Sequence, residues 1–178
     1  MSVPNMLSIF RLILVPVFAV VFFSDRQDAY VFAAFVYAIA CLTDVLDGII
    51  ARRFNQITRL GRVLDPLADK LMGFTVLACI TIEGIIPVWS IIIIFIKDGL
   101  MGIGALLMYN RTDDVMPSDK FGKAATACFF VVCVILMLIT AIPHAVATAM
   151  IAVPTAIAVL ALLHYLKLFL RILKDSKS

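Results

Sequence analysis

An all-α fold that crosses a membrane several times is predicted by three observations. The chain of 178 residues is 63% hydrophobic and only 15% charged, with a mean hydropathy of +1.10, whereas soluble chains average about 45–50% apolar and about 25% charged. Its apolar runs are long enough for bilayer-spanning helices, which need about 20 residues each. The runs follow a helical period, unlike the every-second-residue alternation of an outer-membrane barrel. These features exclude a soluble Rossmann or barrel enzyme, a disulfide-rich secreted module and a disordered tail. The prediction is one domain over residues 1–178, a polytopic bundle of six transmembrane helices with an interfacial amphipathic N-terminal element.

Six segments are read in order, at roughly 5–23, 30–51, 63–83, 86–109, 121–141 and 145–170. Pro4 and Asn5 open the first, and the polar stretch from Ser24 to Asp28 closes it. Arg11 interrupts the first apolar run, so no cleavable signal peptide is expected, and the segment is predicted to start as an interfacial helix with the arginine held at the cytoplasmic surface. Pro87 begins the fourth segment and Pro143 marks the turn before the sixth. Gly99, Gly102 and Gly104 are expected to permit close helix packing. Cys41, Cys79, Cys128 and Cys133 all fall in apolar runs without a C-x-x-C pair and read as reduced packing residues.

Lysine and arginine set the orientation. Arg52, Arg53, Arg59 and Arg62 flank the second connection; Arg111, Lys120 and Lys123 mark the fourth; Lys167, Arg171, Lys174 and Lys177 follow the last segment. The other side offers only Arg26, beside Asp25 and Asp28. Both termini, and any site on that basic side, are expected to face the cytoplasm.

The acidic residues point to chemistry. Asp44 and Asp47 end the second segment; Asp65 and Asp69 lie in the first turns of the third. Spacings of three and four place two side chains on one helix face, so a short connection can aim four carboxylates at one cavity. Carboxylates at membrane depth are costly and mark functional sites, and four together repel unless a cation neutralises them. The ligands are all oxygen, with no suitable His or Cys near, which suits a hard divalent ion, Mg²⁺ or Mn²⁺, completed by water and substrate phosphates. Such a cavity beside arginines suits a diphosphate-containing substrate, and a carboxylate not fully used as a ligand can take a proton from an attacking hydroxyl. Taken singly, these residues also read as helix-end and capping aspartates.

Their spacing carries a resemblance. From Asp44 the chain reads D-V-L-D-G-I-I-A-R, then eight residues, then G-R-V-L-D-P-L-A-D. This resembles the CDP-alcohol phosphotransferase pattern D-x2-D-G-x2-A-R-x8-G-x3-D-x3-D. Chance supplies eight such positions about once in 10⁹–10¹⁰ starts. The resemblance covers the whole chain and implies a six-helix core. It implies Asp44, Asp47, Asp65 and Asp69 as metal ligands, for two ions, with Asp69 also the general base. It implies CDP contacts from Asp44, Asp47, Gly48, Ala51, Arg52, Gly61 and Asp65. The implied reaction is attack of an alcohol on the β-phosphate of CDP-diacylglycerol, releasing CMP, at the inner leaflet of the bacterial cytoplasmic membrane. A homodimer is implied, and no nucleic-acid partner.

V-P-N-M-L-S-I-F-R near the N-terminus and F-G-K-A-A-T later resemble the branch containing phosphatidylglycerophosphate synthases and transferase-type cardiolipin synthases. The former commonly carry Arg-Glu in the fourth segment, a further Arg, and G-K-x-K-T. This chain has Lys97-Asp98, lacks the second Arg, and has G-K-A-A-T; cardiolipin-type relatives often have Arg-Asp there. Lys97, Asp98, Arg111, Lys120 and Lys123 are the acceptor-site candidates, and Lys97-Asp98 reads equally as a structural ion pair. Glycerol-3-phosphate is narrowly favoured as acceptor over phosphatidylglycerol. A membrane prenyltransferase lacks the D-G-x2-A-R element, and a divalent-cation transporter is expected to show a repeated half, which this chain does not.

Overall fold

Helices form here because the inward stripe of each apolar run recurs every three or four residues. A computed structural model describes residues 3–53, 61–109 and 120–175. Its helices are α1 (Val3–Phe22), α2 (Ala29–Arg53), α3 (Gly61–Ile82), α4 (Val88–Tyr109), α5 (Lys120–Leu138) and α6 (His144–Asp175). There is no strand among the described residues. Asn5–Phe22, Ala29–Asp47 and His144–Lys167 are each long and apolar enough to cross a bilayer, and Ala124–Leu138 is a shorter apolar helix. α3 carries Asp65, Asp69 and Lys70 in its first turns, which lowers the apolar length it can offer to lipid.

Large apolar side chains point outward, as a lipid solvent allows. On α2, Phe32, Phe35, Ile39, Leu42, Leu46 and Ile49 are all exposed, at the three- and four-residue steps of one helical face. The opposite face carries Ala33, Ala40 and Tyr37, all buried. α1 is one uninterrupted helix, Val3–Phe22.

The chain forms two compact units. The first contains residues 1–84 with 133–141, and the second residues 85–132 with 142–178. In the first, α1 packs against both α2 and α3. Fully buried Ala33, Ala40 and Ala68 let the backbones approach. An aromatic cluster holds the end away from the motif aspartates: Phe18 stacks on Phe22 at 5.7 Å, meets Tyr37 edge-on at 6.3 Å, and Phe22 meets Tyr30 at 4.9 Å. Cys79 and Cys133 are buried and all four cysteines are free, as packing residues should be. In the second unit α4 packs on α6, with Ile94, Ile151 and Ala158 buried, and Tyr165 Oη donates to the Met101 carbonyl at 3.4 Å.

Two glycines of α4 depart from expectation. A Cβ built on Gly99 or Gly102 would meet no described atom within 4 Å, because both lie on the exposed face of the helix; among the described residues neither is closely packed. Gly84 has a structural role instead. Its φ of 70° turns the chain out of α3, while its N–H donates to the Thr81 carbonyl at 2.9 Å. Since a Cβ there meets no described atom within 4 Å, Gly84→Ala isolates backbone strain. The expected cost is about 1 kcal/mol, read as a fall of roughly 2–4 °C in thermal unfolding in detergent.

Candidate active site

The inward stripe of α1 changes character halfway along. Its buried positions are Asn5, Ser8 and Arg11, then Leu14, Phe18 and Phe22. The second half packs as apolar core, and the first half meets the aspartates of α2 and α3. Arg11 is 1% exposed. Its Nη2 donates to Asp47 Oδ2 at 2.6 Å, and its Nη1 stands 2.7 Å from Asp44 Oδ1. Ser8 Oγ donates to Asp65 Oδ1. α1 is thus the element that ties the α2 pair to α3.

This corrects the expected place of Arg11. The sequence suggested a cationic head held at the cytoplasmic surface, but the guanidinium turns inward. Two carboxylates on the facing helix, 2.6 and 2.7 Å away, offset the water that the buried guanidinium gives up. Asp65, which beside Pro66 reads as a possible cap, is the fifth residue of α3 and is held by a side chain.

Asp44 and Asp47 share one face, as their spacing predicts, and converge on a single guanidinium. The Asp47 side chain is 5% exposed and that of Asp44 43%, so one carboxylate is sealed and the other open. Asp65 lies within electrostatic range of Asp47. Asp69, one turn further along α3, is half-buried and acts electrostatically on Tyr37 and Cys41 of α2. No three acidic, His or Cys side chains among the described residues are gathered as a ready ligand cage. Arg11 and Ser8 take up carboxylate oxygens that a cage would use.

Gly61 is buried at the start of α3, and Gly48, Ala51 and Arg52 continue the α2 backbone. The side chains of Ala51 and Arg52 lie outside the described ones, as do those of Lys120 and Lys123 on α5; Arg59 and Arg111 lie outside the described residues. Lys97 and Asp98 belong to the second unit. Lys97 Nζ pairs with Asp98 Oδ1 at 2.6 Å, with side chains only 9% and 12% exposed, so the lysine's charge is compensated by its own neighbour.

Sequence reasoning missed Ser8 and Arg11 as site residues. A usable clue existed: Asn5, Ser8 and Arg11 recur every three residues in an otherwise apolar run, and an ionisable residue inside such a run marks a functional face.

The donor set fits a hard divalent cation. All its carboxylates are oxygen ligands, and two of them already converge on one cationic group, the Arg11 guanidinium. Residues 1–171 match the family described as CDP-alcohol phosphatidyltransferase. The chain is 37% identical over 131 residues to a putative cardiolipin synthase of Mycobacterium tuberculosis, covering 74% of this chain and 62% of that protein. It is 33% identical to a CMP-forming cardiolipin synthase of Streptomyces coelicolor, over 71% of this chain and 60% of the relative. A CDP-diacylglycerol–glycerol-3-phosphate 3-phosphatidyltransferase of Salmonella typhimurium is 42% identical over 80 residues, 45% of this chain and 44% of that protein. The chain therefore spans about three-fifths of the length of the cardiolipin synthase relatives. With the motif intact from Asp44 to Asp69 and the match running through nearly all its residues, the chain belongs to the CDP-alcohol phosphatidyltransferase family.

Proposed function

We propose that this protein is a metal-dependent phosphatidyltransferase of phospholipid biosynthesis, moving the phosphatidyl group of CDP-diacylglycerol to the hydroxyl of a glycerol-type acceptor. The observation that carries the reading is the convergence of Asp44 and Asp47 on one cationic group, with Asp65 tied to the same face of α1. The family uses divalent metals, and Asp44, Asp47, Asp65 and Asp69 are the residues to hold Mg²⁺ or Mn²⁺, two ions in this reading. When bound, the metal neutralises diphosphate charge and steadies the departing CMP.

The remaining work falls to the chain. Gly48, Ala51 and Gly61 leave room beside the cytidine, and Arg52 offers a forked donor to the diphosphate. Asp69 accepts the proton of the acceptor hydroxyl as its oxygen attacks the β-phosphorus. The bond from that phosphorus to the CMP oxygen breaks, and CMP leaves with the electron pair. Positioning the hydroxyl in line supplies much of the rate. We place this site at the cytoplasmic face of the bacterial inner membrane in a six-span homodimer, on the lysine and arginine distribution and the family resemblance.

The acceptor divides two readings. Glycerol-3-phosphate is the expectation from the branch resemblance. Phosphatidylglycerol gains support from two observations: Lys97 is already neutralised by Asp98, which removes one cation from a phosphomonoester pocket, and the relatives matched over the larger share of the chain are named cardiolipin synthases. We favour phosphatidylglycerol. The test offers purified protein labelled CDP-diacylglycerol with Mg²⁺ and either acceptor. CMP with cardiolipin is expected; phosphatidylglycerophosphate instead would assign glycerol-3-phosphate, and absence of both products would overturn the transferase reading.

A further inference from the structure

Arg11 has no role in the reaction just described, yet it is among the largest fully buried side chains of the protein. Asp44 and Asp47 stand on one face of α2, where two like charges repel, and the guanidinium between them removes that repulsion. Its own bonding is incomplete. Nη2 is aligned on Asp47, but Nη1, though 2.7 Å from Asp44 Oδ1, is not aligned as a hydrogen bond, and Nε has no partner among the described residues. Guanidinium carries five N–H donors, and buried donors are normally satisfied. This arginine is held by charge more than by a full set of bonds. Another cation can therefore compete with it for these oxygens. The half-exposed Asp44 leaves its carboxylate open to such an ion.

Resting on the proposed metal role of these carboxylates, we propose that Arg11 is a built-in counter-cation that holds Asp44 and Asp47 together until a divalent ion displaces it. Metal and guanidinium then compete for the same oxygens. Arg11 is a positioning residue that keeps the ligand pair assembled and sets the affinity for metal.

Mn²⁺ binding to the full chain in detergent, followed by the spin-resonance signal of free Mn²⁺, tests the competition. Arg11→Gln is expected to bind Mn²⁺ about tenfold more tightly than wild type, a coupling of ordinary size between linked sites. Arg11→Lys, which keeps the charge, stays within about twofold by the same reasoning. Unchanged or weaker binding by Arg11→Gln, or equal tightening by Arg11→Lys, overturns the proposal. Labelling of wild-type protein with phenylglyoxal, read at the Arg11 peptide by mass spectrometry, decides the matter independently of any variant's folding. Mn²⁺ should raise modification of Arg11 severalfold over EDTA; equal modification overturns displacement. If wild type binds no Mn²⁺, or Asp44→Asn binds it as well as wild type, the metal reading itself falls; if only the Arg11 results fail, that reading stands.

Discussion

Asp69→Asn is expected to lower kcat by about 10³-fold, within the usual 10²–10⁴ range of general acid–base catalysis, while CDP-diacylglycerol binding stays within severalfold of wild type. The amide has the shape of the carboxylate but cannot accept the hydroxyl proton. The proposed reaction gives this task to Asp69 as the last aspartate of the family motif. Asp44 and Asp47 engage Arg11, Asp65 accepts from Ser8, and Asp69 lies one turn further along α3, within electrostatic range of Tyr37 and Cys41. Single-turnover measurement of CMP release, alongside calorimetric titration with CDP, separates chemistry from binding. Turnover at the wild-type rate would remove the general-base assignment, and loss of nucleotide binding in parallel would make Asp69 chiefly a ligand.

Asp47→Asn is expected to damage both activity and stability. Its carboxylate is the sealed partner of a guanidinium that is 1% exposed, and removing one member of a buried pair leaves the other charge poorly compensated, at about 3–5 kcal/mol. Asp44 retains part of the attraction, so the lower end is expected, read as roughly a 10 °C fall in thermal unfolding in detergent with EDTA. The double variant Arg11→Gln with Asp47→Asn removes both charges and should recover most of that loss without recovering transferase activity. Failure of the double variant to regain stability would show that the pair does not act as a unit.

Local periodicity carried most of the secondary structure. The segments read at 30–51 and 145–170 correspond to α2, Ala29–Arg53, and α6, His144–Asp175, because an apolar helix and its flanking Pro, Gly and charged residues are written within a few turns of chain. The pairing of Asp44 with Asp47 was legible for the same reason. Gly99 and Gly102 were not: a small residue permits close packing from either face, and only the arrangement of α4 shows that theirs is the exposed one.

By itself, the sequence determined an apolar helical chain suited to a membrane, its family, and the four motif carboxylates proposed as the site, since all three rest on composition or short fixed spacings. Tertiary structure alone decided where Arg11 and Ser8 go. Arg11 lies 36 residues from Asp47 and Ser8 lies 57 from Asp65, and the three-residue recurrence of Asn5, Ser8 and Arg11 marks a polar face without saying which distant side chains it meets. The choice was made by the packing of α1 against α2 and α3, which brought a buried cation, one buried carboxylate and one half-exposed carboxylate to the same few ångströms.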